Sequence, residues 1–579
     1  MGKHLRFLMM AVAILFVNVA KAADDVTVGD FTFNFYTNGN AYVTSYLGSE
    51  TSLTLPATIT YNKEGKDTTV NVTGIGPSAF AGNTTLETLY LPRNGSYTVG
   101  VGAFKGCTAL NTLAYSYEGV SSTLSRENYI THPSGTLNDS VYEGCTAIQN
   151  VYVRYILSNG LGNCAFKDCT SLQTASISAG CKFIGESAFE GCTALTKVEG
   201  CRYKYATTSA TTYYTCTIGN NAFKNCTSLT FFGGSTTNAY LGSNYNGQNF
   251  TSVTSIGDNA FENCAFTVAY FHRVETVGAE AFKGCANLQT VYVIKADGDY
   301  NILKDGDSDI TEITLGEGAF ENCTSLVGLR HVEYARGEGN SLSVTYLPST
   351  LFTAIPARAF KGCSALTIIG GTGKASTTET TTGAYYGACL PLATSIGESA
   401  FENCTALKYV YNLDTSKPTI GDKAFKGCEQ LTRFGSVTTN KVLVDGASVG
   451  LSAFESCAAI TKVEFTEDVT SIGPRAFANC EAITEVTAPW TTPFAIENNT
   501  FAFDIYSSAT LNVPAGAEAT YQATGGWQNF YDTTGIKLAT EDDALNGNDA
   551  WYTIDGKRLQ AEPTTKGIYV RGGKKIVVK

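Results

Sequence analysis

The sequence predicts an α/β solenoid, a stack of short repeats closed at its N-terminal end by a β-rich cap. Three observations carry this. A pattern of the form Ile-Gly-x-x-Ala-Phe-x-x-Cys-x-x-Leu-x-x-Val, most complete at residues 396–410, recurs along the chain. Its anchor aromatic occurs fifteen times. The shortest spacings between anchors are 21 to 24 residues, a period at which one unit cannot bury its inner face alone and must stack on its neighbours.

Composition agrees with this reading. At 579 residues the chain is too long for one ordinary compact domain, and with 43% hydrophobic residues it is too apolar to be disordered throughout. It holds 32 Tyr, 31 Phe and 58 Gly against 13 Pro, which favours strands and turns over long helices.

The chain opens on a targeting segment. Lys3, His4 and Arg6 form a basic start, residues 7–19 are apolar apart from Asn18, and Ala20-Lys21-Ala22 is a small-residue cleavage signature. Residues 1–22 therefore read as a signal peptide, too short to cross a bilayer, and no other stretch reads as a spanning helix. The formal net charge is −12, and cleavage removes three basic residues and no acidic one. So acidic a chain argues against nucleic acid and anionic membrane surfaces as partners.

Residues 23–73 read as the N-terminal β cap. Phe31-Thr-Phe33-Asn-Phe35 alternates with the period of a half-buried strand, and Asn38-Gly39 marks a hairpin turn before Ala41-Tyr-Val43. Leu53-Thr-Leu55-Pro56 is a further short strand.

Residues 74–536 are the repeats. The anchors are Phe80, Phe104, Tyr142, Phe166, Phe189, Phe223, Phe261, Phe282, Phe320, Phe360, Phe401, Phe425, Phe454, Phe477 and Phe501. Thirteen carry a cysteine three residues on: Cys107, Cys145, Cys169, Cys192, Cys226, Cys264, Cys285, Cys323, Cys363, Cys404, Cys428, Cys457 and Cys480. Anchor, cysteine and the leucine six residues on lie at one-turn spacing, so all three face inward from a short helix or 3₁₀ turn. Twelve anchors follow a glycine four residues earlier, read as permitting a backbone turn. Leu288-Gln-Thr-Val291-Tyr-Val293 shows the alternation of the strand that follows. Phe104/Cys107, Phe189/Cys192, Phe223/Cys226, Phe282/Cys285, Phe320/Cys323, Phe401/Cys404, Phe425/Cys428 and Phe477/Cys480 represent the predicted repeat core.

An odd number of cysteines at one register favours a ladder of buried thiols acting as small apolar side chains, with a disulfide-bridged ladder as the alternative. Zinc fits poorly, because the chain has no Cys-x-x-Cys pair and only four histidines. Cys201 and Cys216 flank one insertion and form the candidate disulfide.

Long insertions rich in Ser, Thr, Gly, Tyr and Asn separate several repeats: residues 116–139, 200–217, 231–254, 296–311, 331–346 and 370–390. Insertions map to one face of a solenoid, and tyrosine among small polar residues suits adaptable binding loops. Tyr213, Tyr214, Tyr240, Tyr245, Tyr385 and Tyr386 are the candidate ligand-contact aromatics; solvated hairpins without function are the alternative reading.

After Phe501 the pattern decays into a cap in which Leu511-Asn-Val513 is a last strand and Tyr521, Trp527 and Phe530 cover the open end. Residues 537–550 form a polar linker, and residues 551–579 a small β module with a hairpin turn at Asp555-Gly556.

The repeated pattern resembles the BspA-like leucine-rich repeat family of exported bacterial proteins. The resemblance implies a right-handed leucine-rich-repeat superhelix of short strands with short helices or 3₁₀ turns, a secreted or outer cell-surface location, and adhesion to host or other bacterial surface proteins. It carries over no active site. Residues 551–579 resemble the C-terminal tails that direct type IX secretion, and the resemblance implies a sorting role for them.

A non-enzymatic adhesion or protein-binding solenoid accounts best for these features. A carbohydrate-binding protein of the same architecture, with the insertion tyrosines as stacking platforms, is the alternative. An enzyme is disfavoured. The chain has no Gly-x-Ser-x-Gly, P-loop or His-Glu-x-x-His, and His132, His272 and His331 lie in no recognised catalytic setting. No catalytic residue, cofactor or metal is expected.

Overall fold

The computed structural model describes residues 25–92, 97–115, 128–133, 136–153, 160–177, 181–200, 204–206, 211–213, 215–233, 249–250, 252–296, 312–336, 342–346, 352–369, 388–390, 392–411, 417–435, 440–531, 551–553, 558–559, 563–564, 567–571 and 574–578. The signal segment at residues 1–22 and the linker at 537–550 lie outside them. The described chain is a strand-rich solenoid of stacked parallel strands.

Each repeat feeds three hydrogen-bonded ladders. The Leu-x-x-Val-x-Val segments build a main sheet in two runs, eight strands from Ser52–Thr54 to Phe231–Gly233 and thirteen from Asn249–Phe250 to Thr510–Asn512. Apart from Leu342–Tyr346, which pairs antiparallel, these strands run parallel, and their apolar positions stay in register: Val410 lies opposite Phe434, and Val463 opposite Val486. The two residues before the glycine build a second, narrow ladder. It runs from Phe183–Ile184 to Thr314–Leu315, and again from Ser395–Ile396 to Ser471–Ile472.

The anchor segment forms the third ladder, and here the structure departs from the expected helix or 3₁₀ turn. The amides of Ser399, Phe401 and Asn403 donate to the carbonyls of Asp422, Ala424 and Lys426 in the next repeat, at 2.7 to 2.8 Å. The intervening amides of Ala400, Glu402 and Cys404 close back on residues three earlier, Gly397, Ser399 and Phe401. A helix would spend every amide on its own turn. Chained tight turns leave every second one for the neighbour. The geometry needs left-handed residues on both sides of the anchor, and Ser399 and Asn403 have φ of 54° and 62°. Among the described residues, helical turns occur only at the C-terminal end, at Ile505–Ser508, Glu518–Ala523 and Trp527–Phe530.

The repeated glycine also has a different reason from the one read in the sequence. Gly397 and Gly421 do not adopt the left-handed conformation. A β-carbon on Gly421 would sit 2.8 Å from the Glu398 nitrogen and 2.8 Å from the Gly397 carbonyl carbon. The glycine lets one repeat approach the backbone of the one before it.

Inside, the anchor rings stack without interruption from Phe80 to Phe501. Successive centroids lie 5.1 to 5.7 Å apart, and the interplanar angles are 20° or less. This is within the range of favourable aromatic pairs.

The ends differ from the middle. Lys66–Ile75 pairs with Thr58–Lys63 on one side and with Ala41–Tyr46 on the other, and its last residues pair with Thr98–Val99. The N-terminal sheet thereby runs directly into the repeats. At the other end the buried Trp527 donates from its indole nitrogen to the Phe494 carbonyl at 2.9 Å, and Phe530 meets Phe501 edge-on at 5.6 Å. The strands Trp551–Thr553, Arg558–Leu559, Gly567–Arg571 and Lys574–Val578 form a separate antiparallel sheet.

Candidate functional site

Because the main-sheet strands share one direction, their carboxyl ends form one edge. The insertions leave from that edge. Residues 116–127 follow Thr112–Tyr115, residues 200–215 follow Lys197–Glu199, and residues 234–248 follow Phe231–Gly233. Residues 297–311, 337–351 and 370–387 follow Thr290–Ala296, Gly328–Arg336 and Ile368–Ile369 in the same way.

Several insertions are built into the scaffold at their bases. Four repeats return to the main sheet with a second strand, at Tyr129–His132, Asn249–Phe250, Ala388–Cys389 and Val442–Val444. Ile130, Phe250, Ala388 and Val442 on these strands are fully buried. In two neighbouring repeats the sheet lengthens instead. Thr290–Ala296 pairs along its whole length with Gly328–Arg336, which then pairs antiparallel with Leu342–Tyr346. The result is a three-stranded fin. A smaller hairpin of Lys204–Ala206 and Thr211–Tyr213 stands in the 200–215 insertion.

Of the candidate ligand-contact tyrosines, Tyr213 ends one strand of that hairpin. Tyr214, Tyr240, Tyr245, Tyr385 and Tyr386 lie outside the described residues, as does Cys201 of the candidate disulfide. Cys216 is buried on the strand Cys216–Ile218.

The repeat-core residues occupy one register of the interior. Phe104, Phe189, Phe223, Phe282, Phe320, Phe401, Phe425 and Phe477 are fully buried, as are Cys107, Cys192, Cys226, Cys285, Cys323, Cys404, Cys428 and Cys480. All thirteen ladder cysteines are free thiols. Each also makes a polar contact that the sequence reading missed: its S–H donates to the carbonyl of the anchor one repeat earlier, at 2.9 to 3.3 Å.

This arrangement is unsuited to nucleophilic chemistry. Burial pushes the Cys285 and Cys480 thiols up to about 12, and Cys404 well above the usual thiol value. A protonated thiol is a weak nucleophile. His132, His272 and His331 are buried as well. His132 Nδ1 lies 3.0 Å from the Tyr142 hydroxyl, a pairing that satisfies the only tyrosine among the anchors. Burial lowers His132 and His272 to about 4, so both are neutral at ordinary pH. Among the described residues no group of three or more His, Cys, Asp or Glu side chains could hold a metal ion. None of the described helices is long and apolar enough to cross a membrane.

The outward face of the main sheet carries aromatics that no motif announced. Tyr270 and Tyr292 stack at 5.3 Å and 9°, and the Arg433 guanidinium lies 4.8 Å over the Tyr409 ring. The register positions that place them side by side could have been read from the strand pattern. These are contacts within the chain; the candidate site is the edge from which the insertions leave.

The family comparison agrees with this architecture. A model of the BspA type leucine rich repeat region matches in six copies, over residues 63–126, 122–244, 206–327 and 390–504. A leucine-rich repeat protein from Bacteroides ovatus is 17% identical, with 85% of this chain and 100% of that one covered at a TM-score of 0.49. A leucine rich cell surface protein from Faecalibacterium prausnitzii is 18% identical, with 87% and 98% covered and a TM-score of 0.34. The pneumococcal vaccine antigen PcpA is 11% identical, with 87% and 98% covered and a TM-score of 0.32. No curated protein matches the chain.

Proposed function

The chain belongs to the BspA-type leucine-rich repeat family, and from that premise we propose that it is a non-enzymatic adhesin, exported to the bacterial surface, that binds a protein on a host or neighbouring bacterial cell. One observation supports this above the others. The long insertions leave a single edge of the solenoid, and several are anchored at their bases by strands inside the main sheet. Variable loops held by a rigid scaffold are the general arrangement for recognition.

The test is a binding screen of residues 23–579 against matrix proteins and glycans, repeated with residues 371–387 or 234–248 replaced by short Gly-Ser linkers. Loss of binding with an unchanged melting profile is the expected result. Binding that survives replacement of every insertion would overturn the assignment to this edge. A glycan as the retained ligand would favour the carbohydrate-binding alternative and point to the insertion tyrosines. Residues 551–579 are read as a sorting tail. Their removal should leave the protein inside the producing cell's envelope, and unchanged surface display would refute that role.

A further inference from the structure

From Phe104 to Phe454 the residue directly after the anchor alternates in sign from repeat to repeat. Six pairs follow one another along the array: Lys105 with Glu143 at 3.0 Å, Lys167 with Glu190 at 2.9 Å, Lys224 with Glu262 at 2.7 Å, Lys283 with Glu321 at 4.0 Å, Lys361 with Glu402 at 2.8 Å, and Lys426 with Glu455 at 3.1 Å. No repeat in this span breaks the alternation. It stops at alanine on both sides, Ala81 before Lys105 and Ala478 after Glu455.

The carboxylates of these pairs are not ordinary surface charges. The six glutamate side chains are between 6% and 23% exposed. The carboxylates are also supported from their own repeats. Ser140, Ser187, Ser399 and Ser452, two residues before the anchor, favour the charged forms of Glu143, Glu190, Glu402 and Glu455. Burial alone would raise these four carboxyls; the serine hydroxyls and the basic partners outweigh it and hold them below the usual carboxylate range.

The other ladders cannot tell one repeat from the next. Ring on ring, thiol on carbonyl and amide on carbonyl are the same contact at every step. A repeat displaced by one position would keep all of them. It would also set lysine on lysine or glutamate on glutamate, and like charges directly opposite one another destabilise a parallel stack. A displacement of two positions restores the match. We infer that this row is a stacking code: the Lys repeat and the Glu repeat after it form the unit of assembly, and the alternation fixes the order in which the insertion-bearing repeats stack.

Repeat deletions test this in the full chain. Removing residues 401–424 joins Ala400 to Phe425, keeps the motif intact, and sets Lys361 against Lys426. Removing residues 401–453 joins Ala400 to Phe454 and sets Lys361 against Glu455. A plain solenoid loses stability with each repeat removed. The code predicts the reverse order, with the two-repeat deletion melting above the one-repeat deletion and the gap narrowing in high salt. Lys426→Met should lower the melting temperature of the intact chain and raise that of the one-repeat deletion. If that deletion does not fold, the intact chain decides. Lys361→Glu, which places three glutamates in a row, must then cost more than Lys361→Met. A one-repeat deletion at least as stable as the two-repeat deletion, or equal losses from Lys361→Glu and Lys361→Met, overturns the inference.

Discussion

The Cys428 sulfur lies 3.1 Å from the carbonyl oxygen of Phe401, one repeat upstream. That carbonyl also accepts the Cys404 amide at 3.0 Å, so both of its lone pairs are used. The cysteine is therefore more than an apolar filler. It links two repeats through a soft donor whose long C–S bond suits the gap. Cys428→Ser keeps a donor but shortens its reach and buries a more polar group, while Cys428→Ala leaves one lone pair empty beside a small void. Each should cost about 1–3 kcal/mol, with serine no better than alanine. Chemical denaturation of the two variants checks this, and a serine variant as stable as the parent would show that the site asks only for a donor.

The same burial governs reactivity. The thirteen ladder thiols are buried and free, and burial raises thiols such as Cys404 and Cys457 well above their usual range. The native protein should resist alkylation at all of these positions, and denaturation without reductant should expose them. Mass spectrometry of labelled peptides reads this directly. Ladder peptides recovered as disulfides would support the bridged alternative.

Phe401 is fully buried between Phe360 and Phe425, with ring centroids 5.4 and 5.2 Å away. Phe401→Ala removes one ring from a continuous stack and should cost about 3–5 kcal/mol. Hydrogen exchange should show the loss concentrated in the repeats on either side, because each repeat leans on its neighbours. A uniform loss along the chain would argue against nearest-neighbour stability.

The period, the strand and the inward anchor were legible because they are local features of sequence. Much of what joins the repeats was not, since it depends on a residue and its counterpart a repeat or more away. The glycine at 421 looks like a turn residue until the backbone of residues 397–398 is seen against it. The strands Asn249–Phe250 and Ala388–Cys389 are too short to show a period, and only their pairing identifies them. Other signals were present and went unread. Gly, Asn or Asp stands two residues after most anchors, the set that tolerates a left-handed turn, and the Lys–Glu alternation runs through twelve repeats. The tyrosines of the insertions lie mostly outside the described residues, so their arrangement rests on sequence alone.

Gly421→Ala tests the close approach. The new methyl group would meet backbone atoms of the preceding repeat at 2.8 Å, and backbone cannot step aside as a side chain can. The expected loss is about 1–3 kcal/mol. Gly525→Ala is the control, because its β-carbon would find only the Ala495 methyl at 3.8 Å. Equal melting temperatures for the two variants would mean that the repeats can separate locally without loss.

Stability should fall in acid in two stages. His132 and His272 are lowered from 6.5 to about 4, by burial first and foremost. Between those values the unfolded chain binds protons that the folded chain refuses, so stability declines as pH drops from 6.5 to 4, by up to about 3 kcal/mol per histidine. Below 4 that contribution is constant. Glu143, Glu190, Glu402 and Glu455 act in a lower window. Their folded values lie below the reference of 4.5, so their stabilisation is complete above 4.5 and is lost as pH falls through the folded values. His272→Leu removes one buried imidazole whose Nε2 makes no hydrogen bond among the described residues. It should flatten the limb between pH 6.5 and 4 and leave the lower one in place. Denaturant midpoints measured across that range check the slope, and an unchanged upper limb would mean that His272 reaches water before the fold opens.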